Sequence, residues 1–483
     1  MTREKSHNWF LSLSIGLAIG ISGNLMLGPK TAAANEPNAE PEIELTDGWQ
    51  LRRSSLQEEA DTNFPVLGFR PTIVGQTETF PELAEDVLTE SFALRAAKYD
   101  LDASKSEVWQ AVGNFLPKLS TTISHNWIEN RNTISASNMI GKYEENTVRL
   151  DLSMTLLDAG TNYFGLLSAK ATRRASEANY LAAGRQVELD AIEAYLTVYR
   201  NQKVERTILN SVKSLRKIRR ITRALHRAGE VSRSDIALAQ SELSSNEAEY
   251  NNAVARRKDS EAYLARLVRR PVGKRLKLPK LPRPLPASLE QARHLVKSNN
   301  ATVNSAFHQA DASENNAKRA RGAYLPKLDL VGSYSNENIY RDPLQTEDDW
   351  RIGLQLTVPL TDFSGYSRAR AQRARAQGDY YRALDTQRGI LRQLDTDWAN
   401  YHASKARMDA LRRQVKALNT VLIGTRKEYK AGLRSLTDVL NARVNKTRAE
   451  VTMAQIEFER QTGGYRILLA TGHDGLVKLA MAQ

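Results

Sequence analysis

The pattern of apolar and polar positions along the chain switches between two periods. Shorter stretches alternate strictly, which is typical of strands, and much longer ones repeat apolar residues every three or four positions, which is typical of helices. In residues 148–156 and 350–360 every second residue is apolar. Each of these segments is therefore predicted to be a strand with one apolar face and one polar face.

Each strict alternation has a less regular partner segment before it, so we expect two β-hairpins. The predicted strands are Leu119–Trp127, Val148–Leu156, Leu328–Asn336 and Trp350–Leu360, and the polar segments 128–146 and 337–349 are predicted to be loops. The strands have about the 9–11 residues that a membrane-crossing β-strand needs. Four strands cannot enclose a pore, because bacterial barrels have at least eight. A membrane barrel would therefore need several copies of the chain.

A very long helix is predicted after each hairpin, at Thr161–Arg227 and Gly365–Lys430. At 1.5 Å per residue each would be about 100 Å long. The first carries two apolar seams that face different directions, which indicates neighbours on two sides. The seams are Val187, Ala191, Ala194 and Val198, and Leu189, Ile192, Leu196 and Tyr199. Shorter helices are predicted at Arg233–Val268 and Leu436–Leu469.

Two related segments, 228–239 and 431–442, separate these helices. Gly229 and Gly432 can adopt the left-handed conformation that ends a helix. Ser232 and Ser435 can each cap the next helix, and the acid three residues later, Asp235 or Asp438, completes a capping box. Each segment is therefore predicted to be a tight turn at a helix tip, with Ala228 and Ala431 just before the glycines.

The whole pattern occurs twice. Gly-x-aromatic-Leu-Pro-Lys-Leu stands at 113–119 and again at 322–328, after a helical pattern that runs from about Glu82 to Val112 in the first half. The division that we predict is a signal peptide (1–34), an irregular N-terminal arm (35–80), a first repeat (81–270), a proline-rich basic linker (271–287), a second repeat (288–472) and a C-terminal tail (473–483).

The N-terminus predicts export. Arg3 and Lys5 precede an apolar run, 10–27, and Ala32–Ala34 offers a cleavage site, which is the layout of a secretory signal peptide. Its removal, with three basic residues and one acidic residue, changes the formal charge from +14 to +12. The chain contains no cysteine, which excludes disulfides and thiolate metal sites.

The excess of basic over acidic residues does not indicate nucleic-acid binding. An exported chain rarely meets nucleic acid, and the sequence contains no zinc-finger, helix-turn-helix or RNA-binding motif. Most cations alternate with acids along helices, as on a solvated face. One cluster before the first tip differs, and an acidic partner could bind it. The cluster is Lys213, Arg216, Lys217, Arg219, Arg220, Arg223 and Arg227.

Catalysis is not expected. The seven histidines are scattered, and no nucleophile-elbow, phosphate-loop or dinucleotide motif occurs. We therefore predict no enzyme activity, no cofactor and no metal site.

Taken together, the order of helix, Leu-Pro-Lys-Leu, hairpin, long helix, Ala-Gly-x-x-Ser-x-x-Asp tip and helix resembles the TolC-like outer-membrane channels of efflux and type I secretion. The resemblance covers Leu83–Gly472. It implies a mainly α-helical fold with a small β part, in which long antiparallel helices form a trimeric tunnel topped by a twelve-stranded barrel, four strands from each chain. The barrel would lie in the outer membrane of a Gram-negative cell and the helices in the periplasm.

The resemblance also implies a gate and partners. Ser234 and Asp235 at the first tip would face Tyr429 and Arg434 at the second, and Asp438 would form a ring of carboxylates. A second acidic position of the family is Asn441 here. The tip turns would dock a periplasmic adaptor protein and an inner-membrane transporter. Their residues are Ala228, Gly229, Ser232, Ala431, Gly432 and Ser435.

Two other classes remain open from the residues themselves. An exported structural coiled-coil or a periplasmic adaptor protein without a pore would explain the helices, but it would leave the alternating hairpins unexplained. A barrel enzyme would need a clustered acid, base or nucleophile.

Overall fold

The structure is a computed structural model that describes residues 77–78, 80–130, 141–272, 275–322, 324–340 and 345–472. The predicted signal peptide, nearly all of the predicted N-terminal arm and the C-terminal tail lie outside these residues. Eight helices and six strands are found in the described part. The helices are α1 (Phe80–Glu90), α2 (Phe92–Gly113), α3 (Thr161–Arg227), α4 (Arg233–Val268), α5 (Leu289–Asn299), α6 (Ala301–Gly322), α7 (Phe363–Lys430) and α8 (Leu436–Ala470). The strands are β1 (Thr77–Glu78), β2 (Lys118–Asn130), β3 (Gly141–Leu157), β4 (Arg275–Leu276), β5 (Lys327–Tyr340) and β6 (Gln345–Thr357).

The element order occurs twice, as the sequence pattern predicts. Two helices, two strands, a long helix and a shorter helix follow one another in each half. The predicted bounds of α3 and α4 are confirmed, and α7 and α8 differ from prediction by two residues or fewer at each end. Among the described residues, none of the helices combines the length and the apolarity that crossing a membrane requires.

The first helical pattern is interrupted once. It was predicted as one helix from about Glu82 to Val112, whereas the structure ends α1 at Glu90 and begins α2 at Phe92. Ser91 adopts an extended conformation, and its Oγ accepts a hydrogen bond from the backbone N–H of Leu94. This N-cap starts α2, and α1 packs on α3 and α4.

The four long strands form one antiparallel sheet in the order β2-β3-β5-β6. The strands are longer than predicted, because the polar segments 128–130, 141–147, 337–340 and 345–349 continue the ladder. The prediction that these segments are loops was wrong, since paired backbone groups stabilise a strand whether or not its side chains alternate. β6 ends at Thr357, before Pro359, although Trp350–Leu360 was predicted. Proline has no N–H for the ladder.

The predicted linker crosses the helices rather than standing apart from them. We call residues 275–288 the strap. Its β4 pairs in parallel with β1, and Leu276 is buried in the core with Phe80. The hydroxyl of Tyr195 on α3 donates to the carbonyl of Lys277 over 2.7 Å, and that of Tyr465 on α8 donates to the carbonyl of Lys280 over 3.1 Å. The strap therefore fastens the two repeats to each other.

The main core lies where the strap, α1, α3, α4 and α8 meet. Both predicted seams of α3 contribute to it. Six of their eight residues are buried, and Leu189 and Tyr199 are partly buried against the cluster. A second core cluster lies beside the two tips. The prediction that α3 has neighbours on two sides is confirmed, because α4 and α8 both pack on it.

Candidate functional site

Both helix tips have the same backbone geometry. Gly229 and Gly432 have φ values of +80° and +75°. In each turn the glycine N–H bonds back to a carbonyl three residues earlier, and the next N–H bonds to a carbonyl five residues earlier. This pair of bonds is the Schellman motif. A Cβ at either glycine would meet nothing within 4 Å, so the conformation and not the space requires glycine.

Both tips also start the next helix with a capping box, as predicted. The backbone N–H of Asp235 donates to Ser232 Oγ, and Asp235 Oδ2 accepts from the backbone N–H of Ser232 over 3.0 Å. Ser435 and Asp438 repeat this arrangement at α8. The hydrogen bond from the Ser435 side chain, followed by that from its backbone, lowers the pKa of Asp438. Asp438 therefore stays ionised at neutral pH, as a helix N-terminus favours.

Tyr429 is the one predicted gate residue that the structure buries. It is 8% exposed and belongs to the core cluster beside the tips. Its hydroxyl lies 3.3 Å from Thr222 Oγ1 on α3. Because Thr222 gives its own hydrogen to the carbonyl of Ile218, Tyr429 is the donor. This bond joins the last turns of the two long helices.

Arg434 makes a different contact. Its Nε donates to Glu428 Oε2 over 3.1 Å, across the turn of the second tip. Both side chains are about half exposed. The sequence analysis singled out neither Glu428 nor Thr222. Thr222 could have been found as a polar residue on a seam of apolar ones, whereas nothing in the sequence distinguishes Glu428 from other acids before a turn.

Within one chain the predicted gate groups do not meet. Asp235 and Asp438 are engaged in their own capping boxes, and Ser234 Oγ lies 2.7 Å from Ser232 Oγ. Neither Ser234 nor Asp235 bonds Tyr429 or Arg434 in the described part of the chain. The predicted contacts between the first tip and the second stay a prediction.

The four-stranded sheet has a broad apolar face. Trp127 on β2 is 76% exposed and Trp350 on β6 is 74% exposed. Leucine and isoleucine fill most of the positions between these tryptophans and the helical end of the sheet. Exposed examples on the two edge strands are Leu119, Ile123, Ile352, Leu354 and Leu356. Aromatic residues bordering an apolar band are typical of a membrane-spanning β-sheet.

The opposite face of the sheet is polar. Ser120, Thr122 and Ser124 alternate with the apolar residues of β2. Thr155 on β3 donates to Asp329 on β5 over 2.8 Å, which links the two hairpins on this face. Such a face can line water while the other contacts lipid.

The two edges of the layer are open. Among the described residues β2 and β6 pair on one side only, and every second residue of each 13-residue strand presents free backbone N–H and C=O groups at the open edge. The helices show the same asymmetry. α3 packs on both α6 and α8, whereas α7, its equivalent in the second repeat, has no comparable packing against α2 or α4 in the described residues. The free backbone groups of an unpaired strand edge of this length can pair with a strand of another chain.

Comparisons with known proteins agree with this architecture. The family model described as "Outer membrane efflux protein" matches residues 83–268 and 292–473. The outer membrane efflux protein BepC of Brucella suis is 25% identical over 329 residues, which is 68% of this chain and 72% of BepC. The alkaline protease secretion protein AprF of Pseudomonas aeruginosa is 29% identical over 211 residues, 42% of each protein.

Solved structures share the fold. The CmeC outer membrane channel of Campylobacter jejuni superposes with a TM-score of 0.73 at 18% identity, covering 82% of this chain and 86% of CmeC. The outer membrane protein VceC of Vibrio cholerae gives 0.72 at 19% identity, covering 81% and 96%. Both likenesses cover most of each chain.

Proposed function

Because the chain belongs to the outer membrane efflux protein family, we propose that it is the exit duct of a tripartite efflux or type I secretion system, closed at its helix tips. The family confirms the prediction of an outer membrane channel with its helical part in the periplasm, and it confirms that the chain is not an enzyme. Transport through such a duct is passive, so an inner-membrane transporter supplies the free energy.

The open edges carry this proposal. β3 of the first repeat pairs with β5 of the second, so by the duplication β6 pairs with β2 of a neighbouring chain. Likewise α7 packs on α2 and α4 of that neighbour, as α3 packs on α6 and α8 within the chain. Three copies give a closed barrel of twelve strands, with the apolar face toward outer-membrane lipid.

The packing of α7 on α4 of a neighbouring chain also supports the predicted gate. α4 of one chain lies beside α7 of the next, which brings Ser234 and Asp235 near Arg434 across a subunit boundary. Tyr429 holds α7 against α3 through Thr222. Opening the duct is then a change in how the tip helices pack, biased by the partner protein.

The tip turns are the docking surface that we assign to the adaptor and the transporter. The predicted docking residues at both turns are exposed. Leu433 at the second turn is an apolar side chain with 76% exposure, which a soluble surface rarely requires.

Single-channel conductance in planar bilayers tests the gate. Arg434→Ala combined with Tyr429→Phe removes one ion pair and one hydroxyl, and we expect a higher conductance than that of the wild type. The matched control replaces the equivalent residues of the first tip, Val231→Ala with His226→Phe, and should leave conductance at the wild-type value. An unchanged conductance of the first variant contradicts the gate assignment.

The same preparation tests the pore itself. If every variant and the wild type leave the bilayer non-conducting, the alternative of a structural coiled-coil or adaptor protein without a pore is favoured. Fractionation of cells then gives an independent answer, because only the channel is recovered with outer membranes.

A further inference from the structure

One face of α3 carries an unusual density of positive charge. Between Arg206 and Arg227 the helix contains eight lysines and arginines and no acidic residue. Arg216 pairs with Glu247 over 2.8 Å, and Arg219 donates to Gln240 over 2.8 Å. In the described part of the chain the side chains of the other six form no hydrogen bond or ion pair. They are Arg206, Lys213, Lys217, Arg220, Arg223 and Arg227.

These cations form a stripe. Arg206, Lys213, Arg220 and Arg227 follow one another at intervals of seven residues, so they stay on one face of a gently supercoiled helix. The opposite face of α3 carries the buried residues Val212, Leu215 and Ile218. The stripe extends over 21 residues, or about 30 Å along the helix.

The helix itself does not need this charge. Cations stabilise the C-terminal turn of a helix through its dipole, but that effect is confined to the last turn. Like charges three and four residues apart, such as Lys213 with Lys217 or Arg216 with Arg220, destabilise a helix. The stripe is therefore a surface whose charge is left for something outside the chain to neutralise.

A second copy of the chain does not cover the stripe. In the duplicated layer α3 packs on α2, α4, α6 and α8 of its own chain, and Tyr429 and Arg426 of α7 also reach it. The open edges that join subunits belong to β2, α2 and α4 on one side and to β6 and α7 on the other.

The stripe also faces away from the lumen. The strap crosses α3 at Tyr195 and Gln202, where Gln202 Oε1 accepts from the backbone N–H of Leu276. Arg206, the first residue of the stripe, lies one helical turn beyond Gln202, so the stripe begins beside the face that the strap covers. Since a duct cannot carry its own strap through its lumen, this face points to the periplasm.

The second repeat does not reproduce the stripe. The turns of α3 and α7 correspond with an offset of 203 residues, so the positions equivalent to Arg206, Lys213, Arg220 and Arg227 can be read directly. They are Asp409, Lys416, Ile423 and Lys430. An acid and an apolar residue interrupt the charge, and the two faces therefore differ in what they attract.

We propose that the cationic stripe on α3 is the docking site for an acidic α-helix of a periplasmic partner, with one such site in each chain. A helix fits because the stripe is straight, one helix wide and spaced in heptads, so glutamates at every seventh position of a partner would meet it. The inference rests on the proposed function, since the periplasmic orientation follows from a duct with an open lumen.

A synthetic helical peptide tests the site. The probe carries glutamate at every seventh position, and a control peptide has the same composition with the glutamates scattered. Binding to the full-length protein in detergent is measured by calorimetry at several salt concentrations. We expect the heptad peptide to bind about tenfold more tightly than the control, with one site per chain and weaker binding as salt rises.

Charge reversal locates the site. Lys213→Glu with Arg220→Glu should weaken binding of the heptad peptide about tenfold. The matched control on α7, Lys416→Glu with Ile423→Glu, should change the affinity less than twofold. A milder variant, Lys213→Gln with Arg220→Gln, keeps the test valid if the reversal lowers the helical circular dichroism signal.

Three outcomes overturn the proposal: equal binding of the two peptides, equal weakening by the α3 and α7 variants, or an altered ion selectivity of the channel on charge reversal without a change in peptide binding. The last would place the stripe in the lumen. The conductance of the wild-type protein, measured on the same preparation, shows separately whether the proposed channel function holds.

Discussion

The two helix tips share one backbone and differ in what holds it. Each has a left-handed glycine, a Schellman motif and a serine–aspartate capping box. At the second tip, however, Tyr429 is buried and Arg434 reaches across the turn to Glu428. The equivalent positions of the first tip are His226, which is exposed, and the apolar residues Val231 and Leu225.

This comparison separates two kinds of information in a duplicated chain. The turn geometry depends on a few neighbouring residues, and both copies keep them. The contacts that tie each tip to other helices depend on distant residues, and these differ. At the second tip the contact of Tyr429 with Thr222 reaches another helix, whereas His226 at the equivalent position of the first tip contacts only the carbonyl of Val231 across its own turn, as far as the described residues show.

The largest expected difference between the tips concerns Tyr429. Tyr429→Ala removes a buried ring and its hydroxyl bond to Thr222, so we expect a loss of about 3–5 kcal/mol in the local stability of the second tip. His226→Ala, the equivalent change in the first tip, should alter local stability by about 0.5 kcal/mol or less. Hydrogen exchange of the amides in the last turns of α3 and α7, in the intact protein, measures both. Equal effects of the two substitutions would remove the basis of the comparison.

Most of the fold is predictable because its signals are local. The bounds of α3 follow from the absence of proline and from the glycine and serine of the first tip. The break at Ser91 is not predictable in this way, since a single serine inside a helical pattern is compatible with an uninterrupted helix. The β1–β4 pair joins two-residue segments almost 200 positions apart, and such short strands carry no periodicity.

In the candidate site too, the local contacts could be predicted from the sequence and the long-range contacts could not. The capping boxes at Asp235 and Asp438 could be predicted from residues three positions apart. The bond between Tyr429 and Thr222 joins residues 207 positions apart, so it depends on the packing of α7 against α3. The strand ends beyond Asn336 and before Trp350 were missed because apolar and polar residues do not alternate there, and only the ladder shows that the strands continue.

A second test asks whether the shared backbone is equally important at both tips. Gly229→Ala and Gly432→Ala each force a Cβ into the left-handed region, and we expect each to cost about 1–2 kcal/mol. The costs should be the same, because neither Cβ would touch a neighbour. Gly424→Ala, inside α7, is the control with the opposite sign, since alanine is preferred over glycine in a helix. Unequal costs at the tips would mean that the two turns are not equivalent.

A third test uses pH at the second capping box. Because the hydrogen bonds from Ser435 lower the pKa of Asp438, its stabilisation is fully present above the ordinary aspartate value of about 3.9 and is lost as the pH falls through the lowered pKa. Asp438→Asn should therefore reduce amide protection in the first turn of α8 at neutral pH. At a pH below the folded pKa the wild type and the variant should be alike after correction for intrinsic exchange. A difference that persists at low pH would exclude the carboxylate as its cause.

The smallest expected effect on stability concerns the ion pair across the second turn. Only at this tip should the cost of a substitution depend on the salt concentration. The ion pair of Arg434 with Glu428 is exposed, so Arg434→Ala should cost no more than about 0.5 kcal/mol at low ionic strength. At about 1 M salt, where the screening length is near 3 Å, the cost should disappear. Leu225→Ala at the first tip removes apolar packing instead, and its larger cost, about 1–2 kcal/mol, should persist at both ionic strengths.

The same argument extends to the channel. If the Arg434 ion pair contributes to closure, raising the salt concentration should increase the opening probability of the wild type, and the Arg434→Ala variant should show no further increase. An equal response of the two proteins would mean that the salt acts elsewhere, for example on the cationic stripe of α3. Repeating the measurement with Lys213→Gln and Arg220→Gln separates these cases, because the stripe lies outside the turn and its neutralisation leaves the Arg434 ion pair intact.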